Sequence, residues 1–156
     1  MLRSPHASAR ITAIDCSAAR RLGGVHSVLL AEDVPGSMLF GIELQDQPVF
    51  AGDAVRYMGE PVAAVAADHP ETARRATELI DVAYEPVEPL VDPELALDPA
   101  TPLMHPDGNI VRHVSIRHGD LSADGSVSVV GTYEVGMQDQ AFMGPESGLA
   151  LSLIHI

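Results

Sequence analysis

One cysteine is the strongest nucleophile that this sequence offers. Cys16 lies at the predicted start of a helix over Cys16–Leu22, where the helix dipole lowers the pKa of a thiol. A nucleophilic role also needs a general base beside the sulfur, and the sequence assigns none there. We therefore favour a structural role for Cys16 over a reactive one.

Two histidines, His113 and His118, are the candidates for a metal-binding pair. They are five residues apart in a segment predicted as a strand, so their side chains point to opposite faces. A shared metal ion needs both imidazoles on one side, which disfavours the site. His105 precedes Pro106 and is interpreted as a turn residue. We expect no metal-binding residue in this chain.

Carboxylates are the candidates for general acid–base chemistry, which needs a pocket that perturbs their pKa. They follow one another through a proline-spaced stretch, where a solvated surface is the better interpretation: Glu85, Glu88, Asp92, Glu94 and Asp98. The glycines of Gly59–Pro61 and Gly144–Gly148 lack the order of a phosphate-binding loop. We expect neither a catalytic nor a cofactor-binding residue here.

The stretch Gln138–Ala150, "QDQAFMGPESGLA", combines two amides, an aromatic ring and a Gly-Pro-Glu turn. Such side chains suit the wall of a ligand cavity. A structural turn is the alternative, and the residue types alone favour it.

The charge balance excludes several partners. The 156 residues include 22 acidic and 9 basic side chains, no lysine, and a formal net charge of −13. Nucleic acid and anionic membrane surfaces need clustered Lys and Arg, so we expect neither as a partner. The apolar runs are far shorter than the roughly 20 residues of a spanning helix. A single cysteine and the lack of a signal-peptide pattern favour a reducing cytoplasm.

Two successive β-α-β units are predicted from hydrophobic periodicity, and they do not match in sequence. Asp15 is expected to cap the first helix, and Asp68 or His69 the second. The first unit comprises Ala9–Asp15, Cys16–Leu22 and Val25–Val34, and the second comprises Glu60–Asp68, Pro70–Ile80 and Asp81–Leu90.

A proline-rich connector follows. Six of the 12 prolines fall between Pro86 and Pro106, which excludes a long helix or a central strand. We place a domain boundary there, near residue 100. Beyond it, Ile110–Asp120 and Ser126–Met137 alternate as two strands joined by a turn at Ser122–Ser126.

Five stretches together resemble the molybdenum-binding large subunit of the xanthine dehydrogenase and aldehyde oxidase family. They are Leu2–Asp15 (R-S-P-H-A-x-A-R-I-x-x-I-D), Gly24–Gly36, Val55–Asp68 (V-R-Y-x-G-x-P-V-A), Ala83–Asp92 and Gly136–Ala150. The last is most similar to bacterial xanthine dehydrogenases. Many members carry Glu-Pro where this chain has Gly144-Pro145, which weakens any analogy with aldehyde oxidases or carbon monoxide dehydrogenases.

The resemblance implies an α+β fold, with an α/β hammerhead domain over 1–100 and the first strands of a molybdopterin-binding domain over 101–150. It implies a parent enzyme that hydroxylates xanthine- or hypoxanthine-type purines with oxygen from water. The cofactors would be molybdenum-molybdopterin, with iron–sulfur clusters and FAD on partner subunits. The family's cofactor loop and catalytic glutamate lie downstream, so the isolated chain is expected to be inactive and to bind no cofactor.

The last six residues, Leu151–Ile156, lie beyond the resemblance, which ends at Ala150. They also match the translation of a transposase adapter used in sequencing libraries. We interpret 151–156 as a non-native tail and the chain as a truncated fragment. Two alternatives stay open: a hydroxylase for another aldehyde or N-heterocycle, and a stand-alone interaction module without catalysis.

Overall fold

A computed structural model describes residues 1–42, 44–105, 107–120, 126–136 and 138–139. Contacts divide the chain into two units, residues 1–112 and residues 113–156. All the helices and strands of the described residues lie in the first unit. In chain order they are β1 (Leu2–Arg3), β2 (Ala9–Asp15), α1 (Ser17–Arg21), β3 (Val25–Leu29), β4 (Leu39–Phe40), β5 (Gln47–Pro48), β6 (Ala54–Val55), β7 (Pro61–Ala67), α2 (Pro70–Thr77) and β8 (Asp81–Pro86). Short 3-10 turns cover Ala31–Asp33 and Leu95–Leu97.

Two three-stranded antiparallel sheets form the body of this unit. One sheet has the order β1-β7-β3, with Val28 opposite Val65. The other has the order β6-β2-β8, with Ile14 opposite Val82 and a register shift between Ile11 and Ala13. A third sheet is the two-stranded β4–β5 ribbon.

The predicted order of strand, helix and strand is confirmed in both β-α-β motifs. The strands, however, pair with strands of the other motif and not with those of their own. β2 of the first motif pairs with β8 of the second, and β3 pairs with β7. A parallel pairing of β2 with β3 would need a crossover of roughly a dozen residues or more. The connection between Asp15 and Val25 is shorter than that, so β2 and β3 find their partners elsewhere in the chain.

Small residues hold the two helices against the first sheet. Ala19 of α1 and Ala76 of α2 are fully buried, and they share a cluster with Cys16, Val28 and Ile80. A second cluster is built from Ala9, Ala51, Val55 and Val62 beneath the other sheet. Ile14 and Val82 contact both clusters, so the two sheets share one continuous apolar interior.

The ends of the elements correct several predictions. Cys16 is the N-cap of α1, although the Asp15 carboxylate does accept a 2.8 Å hydrogen bond from the Ser17 amide, which lowers the pKa of Asp15. His69, one of the two predicted caps, caps α2 by accepting from the Glu71 amide. The strand predicted to reach Val34 ends at Leu29, because the Asp33 carboxylate accepts from the Leu30 amide and turns the chain.

Two further elements are shorter than predicted. Helix α2 ends at Thr77 and not at Ile80, since the Leu79 and Ile80 amides close tighter turns onto Ala76 and Thr77. Strand β8 ends at Pro86, the residue expected to limit it. The strand over Glu60–Asp68 is confirmed as β7, and its neighbours Val62 and Ala63, on opposite faces, are both buried.

The prediction of strands at Ile110–Asp120 and Ser126–Met137 is wrong for the described residues of those segments, which contain no strand. Their apolar side chains are highly exposed, among them Val111, Ile116, Val129 and Val135. A strand is stable only when a neighbour completes its hydrogen bonds and covers one face. The alternation of apolar and polar residues is therefore necessary but not sufficient for a strand to form. The turn predicted at Ser122–Ser126 lies, but for Ser126, outside the described residues.

Candidate functional site

Two buried polar residues bring the chain's start and its middle together. Ser4 and Glu60 are the buried polar side chains of the described residues. The Ser4 amide donates to the Glu60 carbonyl at 2.9 Å, and the Gly59 amide donates to the Ser4 carbonyl at 2.8 Å. This reciprocal pair joins the loop before β7 to the loop after β1. We call it the Ser4–Glu60 junction.

The Glu60 carboxylate closes the loop that carries it. It accepts a hydrogen bond from the Arg56 amide at 2.5 Å. Gly59 lies between them with a φ of +89°, a conformation that side chains other than glycine rarely adopt. Arg3 adds a hydrogen bond of 2.8 Å from its guanidinium to the Gly59 carbonyl. The loop is thus fixed by a carboxylate, a guanidinium and a glycine.

An aromatic pair extends the junction. The rings of His6 and Tyr84 meet edge to face with centroids 4.9 Å apart, and the Ser4 hydroxyl bonds to the His6 backbone. Burial raises the pKa of Tyr84, and a hydrogen bond with Ser4 opposes part of that rise. The contact ties the residues after β1 to β8.

The chemistry of the junction is structural. The Glu60 carboxylate accepts a hydrogen bond from a backbone amide of its own loop, and the Ser4 hydroxyl is hydrogen-bonded to the neighbouring backbone. Among the described residues, no buried side-chain nitrogen or oxygen is left without a partner. These groups are therefore occupied in holding the fold, and the junction has no nucleophile or base directed at a substrate.

A groove on the first unit is a concave surface lined by described residues. Its volume is about 580 Å³. The β4–β5 ribbon and its flanks form one wall, and residues around Met104 and Ile110 form the other. Phe50 is buried at its base, while three carboxylates and one guanidinium stand around it, from Asp46, Asp53, Asp107 and Arg56. We call it the ribbon groove.

The predicted turn at His105 is confirmed, and it lies beside the ribbon groove. The Gly108 amide donates to the His105 carbonyl at 3.0 Å, which closes the turn. The His105 Nδ1 lies 3.6 Å from the Asp46 carboxylate, across from the ribbon. His105 is therefore both a turn residue and part of the groove lining.

The other sequence candidates are not brought together. Cys16 is buried, and this burial raises the pKa of its thiol, the opposite of what a reactive cysteine needs. The connector carboxylates are exposed as expected, and Asp92 and Asp98 accept hydrogen bonds from nearby backbone amides. His113 and His118 are exposed. Of the stretch Gln138–Ala150, residues 140–150 lie outside the described residues.

Sequence reasoning missed Asn109, which organises the connector. Its side-chain oxygen accepts from the Met104 amide at 2.7 Å, and its side-chain nitrogen donates to the carbonyls of Ala96 and Pro102. One amide group thus ties three points of the proline-rich stretch. An asparagine that closes a turn is a weak signal, and its distant partners cannot be read from the sequence.

Comparison with known proteins identifies the family. The model of the aldehyde oxidase and xanthine dehydrogenase a/b hammerhead domain matches residues 1–88, more than half of the chain. The chain belongs to the aldehyde oxidase and xanthine dehydrogenase family. The resemblance drawn from the five motifs is thereby confirmed, as is the expected α+β hammerhead fold.

Two curated relatives match nearly the whole chain. A subunit of a probable xanthine dehydrogenase from Bacillus subtilis is 39% identical over 97% of this chain and 21% of its own length. The large molybdopterin subunit of nicotinate dehydrogenase from Eubacterium barkeri is 33% identical over 96% of this chain and 36% of its own length. The chain thus spans between a fifth and somewhat over a third of the length of these relatives.

Solved structures support the same fold. CO dehydrogenase from Oligotropha carboxidovorans has a TM-score of 0.62 at 41% identity, covering 67% of this chain and 13% of that chain. Aldehyde oxidoreductase from Desulfovibrio gigas has a TM-score of 0.63 at 29% identity, covering 68% and 13%. Substrates named for members of this family therefore differ widely, and the fold alone does not select one.

The ribbon groove does not fit a molybdenum cofactor. Within the described residues, no group of three or more His, Cys, Asp or Glu residues could hold a metal ion. The ribbon groove offers one guanidinium, Arg56, against three carboxylates, which is a poor match for a phosphate-bearing pterin.

None of the helices in the described part of the chain is long and apolar enough to span a bilayer.

Proposed function

We propose that this chain is the N-terminal part of the molybdenum subunit of a bacterial hydroxylase that oxidises xanthine- or hypoxanthine-type purines. The observation that carries the proposal is the match to the Bacillus subtilis relative, named as a probable xanthine dehydrogenase, over 97% of the chain. The relative from Eubacterium barkeri, which matches over 96%, is named for nicotinate, another nitrogen heterocycle. Hydroxylation of a nicotinate-like ring is accordingly the second candidate.

Within that enzyme, the chain supplies scaffold. The hammerhead domain over 1–100 would be followed in the chain by a molybdopterin-binding domain that begins near residue 101 and continues past Ala150. Residues 151–156 would be foreign to the natural protein. Molybdenum-molybdopterin would be held by later residues, and electrons would leave through partner subunits that carry iron–sulfur clusters and FAD. The relatives from Bacillus subtilis and Paenarthrobacter nicotinovorans are each named as one subunit of a dehydrogenase, which supports an assembly of several chains.

A cytoplasmic role in purine catabolism follows from the same proposal. The single cysteine suits a reducing compartment.

The deciding experiment begins with the parental locus, resequenced across the codon for Ala150. We expect the reading frame to continue into a glycine-rich cofactor loop and a late glutamate. The complete subunit, produced with its iron–sulfur and FAD partners, is then expected to oxidise xanthine and hypoxanthine faster than nicotinate. A genuine stop codon after Ile156 would contradict the proposal and favour a stand-alone interaction module. Preference for nicotinate would leave the hydroxylase but replace its substrate.

The purified 156-residue chain is expected to be inactive alone, since the cofactor loop and catalytic glutamate that the family resemblance implies lie downstream of it. The measurement is xanthine oxidation with an artificial electron acceptor, with a complete xanthine dehydrogenase as positive control. Turnover by the isolated chain above that of a heat-denatured sample would overturn this expectation.

A further inference from the structure

The proline-rich connector is folded on itself over Asp92–Met104, a stretch that we call the strap. Three of its residues have no backbone N–H to give to a helix or a sheet: Pro93, Pro99 and Pro102. Other amides close two consecutive turns. The Ala96 amide donates to the Asp92 carbonyl at 3.1 Å, and the Thr101 amide donates to the Asp98 carbonyl at 2.9 Å. The strap therefore has a defined shape without any regular element longer than one turn.

A threonine joins the second turn of the strap to the first. The Thr101 hydroxyl donates to the Leu95 carbonyl, six residues earlier, at 2.7 Å. The Asp98 carboxylate supports the second turn by accepting from the Ala100 amide at 2.8 Å. Both bonds lie at exposed positions, where water competes for each group. They give the strap its shape but contribute little to its stability.

Asn109, the single asparagine of the chain, closes the strap from beyond its end. Its side-chain nitrogen donates to the carbonyls of Ala96 and Pro102 at 3.1 and 3.2 Å, and its oxygen accepts from the Met104 amide at 2.7 Å. A primary amide supplies two N–H donors and one carbonyl acceptor at once, which is the set that these three partners need. The bond to Ala96 is also partly buried, unlike the bonds within the strap.

The same side chain fixes one wall of the ribbon groove. Met104, whose amide bonds to Asn109, lines this groove beside His105. The His105 Nδ1 lies 3.6 Å from the Asp46 carboxylate of the other wall, and this contact is an ion pair only when the imidazole is protonated. An exposed pair of that length adds little stability. The hydrogen bonds of Asn109 therefore hold this wall in place.

We propose that Asn109 is a lock that keeps the strap folded, so that the chain leaves the hammerhead domain through a fixed connection and not through a flexible linker. Ala96 lies before the domain boundary proposed near residue 100, and Asn109 lies after it, so one side chain bridges that boundary. The inference concerns the conformation of the strap and does not depend on the proposed hydroxylase activity or on its substrate.

Amide hydrogen exchange of the complete 156-residue chain, followed for each residue by NMR, tests the lock. In the wild-type chain, the amides of Leu97, Thr101 and Met104 are expected to exchange at least about tenfold more slowly than unprotected amides, because each is released only when the strap opens.

Asn109→Asp is the deciding variant. It keeps the size of the side chain and the oxygen that accepts from Met104, but it removes both N–H donors and sets a carboxylate against two carbonyl oxygens. The strap amides are expected to lose about tenfold in protection and to approach the unprotected rate. Exchange in β2 and β7 is expected to stay as in the wild-type chain, since the lock is local.

Two further variants locate the effect. Gln45→Glu makes the same change from amide to carboxylate at an exposed position outside the strap, and it is expected to leave strap exchange unchanged. Thr101→Val removes the bond to the Leu95 carbonyl and keeps the shape of the side chain. It is expected to speed exchange at Leu97 by only about two- to threefold, because an exposed hydrogen bond contributes little.

Four results would overturn the proposal. They are exchange of the strap amides at the unprotected rate in the wild-type chain, unchanged strap exchange in Asn109→Asp, an equal effect of Gln45→Glu, and faster exchange of β2 and β7 in Asn109→Asp. In the last case the asparagine would stabilise the whole domain and not lock the strap. None of these results bears on the proposed enzyme, whose substrate assay uses the complete subunit.

Discussion

Strand β7 and the segment 126–136 have similar sequences, but only β7 forms a strand. Both are rich in valine with small residues between: "PVAAVAA" at Pro61–Ala67 and "SVSVVG" at Ser126–Gly131. In β7, Val62 is fully buried between β1 and β3, whereas Val129 is 87% exposed. The difference lies in the neighbours, since β7 has a paired strand on each side. A strand-forming sequence becomes a strand when other parts of the chain complete it.

Hydrogen exchange gives the largest expected contrast between these regions. Amides of β7 and β2 are expected to exchange roughly a thousandfold or more slowly than unprotected amides, because their ladder bonds open only with the whole fold. Amides of 113–120 and 126–136 are expected to exchange close to the unprotected rate. Mass spectrometry of the 156-residue chain checks both. Strong protection throughout 126–136 would mean that the segment forms strands in solution.

A pair of identical substitutions sharpens the comparison. Val62→Ala is expected to lower the free energy of unfolding by about 2 kcal/mol, since it removes fully buried methyl groups and leaves a cavity. Val129→Ala is expected to change it by less than about 0.5 kcal/mol, because the side chain is exposed. Urea unfolding followed by circular dichroism measures both variants. Similar losses would show that Val129 is buried in solution.

Substitution of Glu60 in the Ser4–Glu60 junction is expected to lower the free energy of unfolding by a similar or smaller amount than Val62→Ala. Glu60→Ala removes the buried carboxylate that accepts from the Arg56 amide and is expected to cost about 1–3 kcal/mol, since hydrogen bonds to charged groups are the stronger ones. Glu60→Gln keeps a side-chain oxygen there and should cost less. Glu88→Ala, at an exposed position of the connector, is the control. If Glu60→Ala unfolds at the same urea concentration as the control, the carboxylate does not stabilise the loop.

The smallest expected effect is a loss of stability at alkaline pH. Burial raises the pKa of Tyr84 above its ordinary value of 10.0, so the unfolded state loses this proton first. Stability from Tyr84 is therefore complete below about pH 10 and falls as pH rises from there through the raised pKa. Cys16, whose pKa is also raised by burial, acts in the same direction from about pH 9.0.

Two variants separate these groups. Tyr84→Phe, made in a Cys16→Ala background, is expected to reduce the fall in stability between about pH 9 and 11 while keeping the edge contact with His6. Urea unfolding across that range is the measurement, with ultraviolet absorbance reporting tyrosine ionisation. An unchanged pH profile in Tyr84→Phe would mean that Tyr84 titrates alike in the folded and unfolded states.

Local patterns predicted the well-packed half of the chain closely. The periodicities that predicted elements at Ala9–Asp15, Glu60–Asp68 and Pro70–Ile80 located β2, β7 and α2 to within three residues at each end, because burial there reinforces local preference. The motifs also indicated the family. The candidate site was harder to predict from the sequence, since Ser4 and Glu60 are far apart in the chain and neither residue type indicates the contact. Asn109 and the ribbon groove depend likewise on distant partners.

The sequence by itself determined the order of the longer strands and helices between Ala9 and Pro86, the acidic character and membership of the family. These follow from residue type, short-range spacing and motifs, which need no knowledge of distant contacts. The tertiary structure alone decided that β2 pairs with β8 and β3 with β7, that the buried Glu60 carboxylate closes its loop, and that the valines of 126–136 stay uncovered. Each of those outcomes depends on which distant segment supplies the hydrogen bonds and the apolar contacts. The local sequence of a strand or turn does not identify that segment.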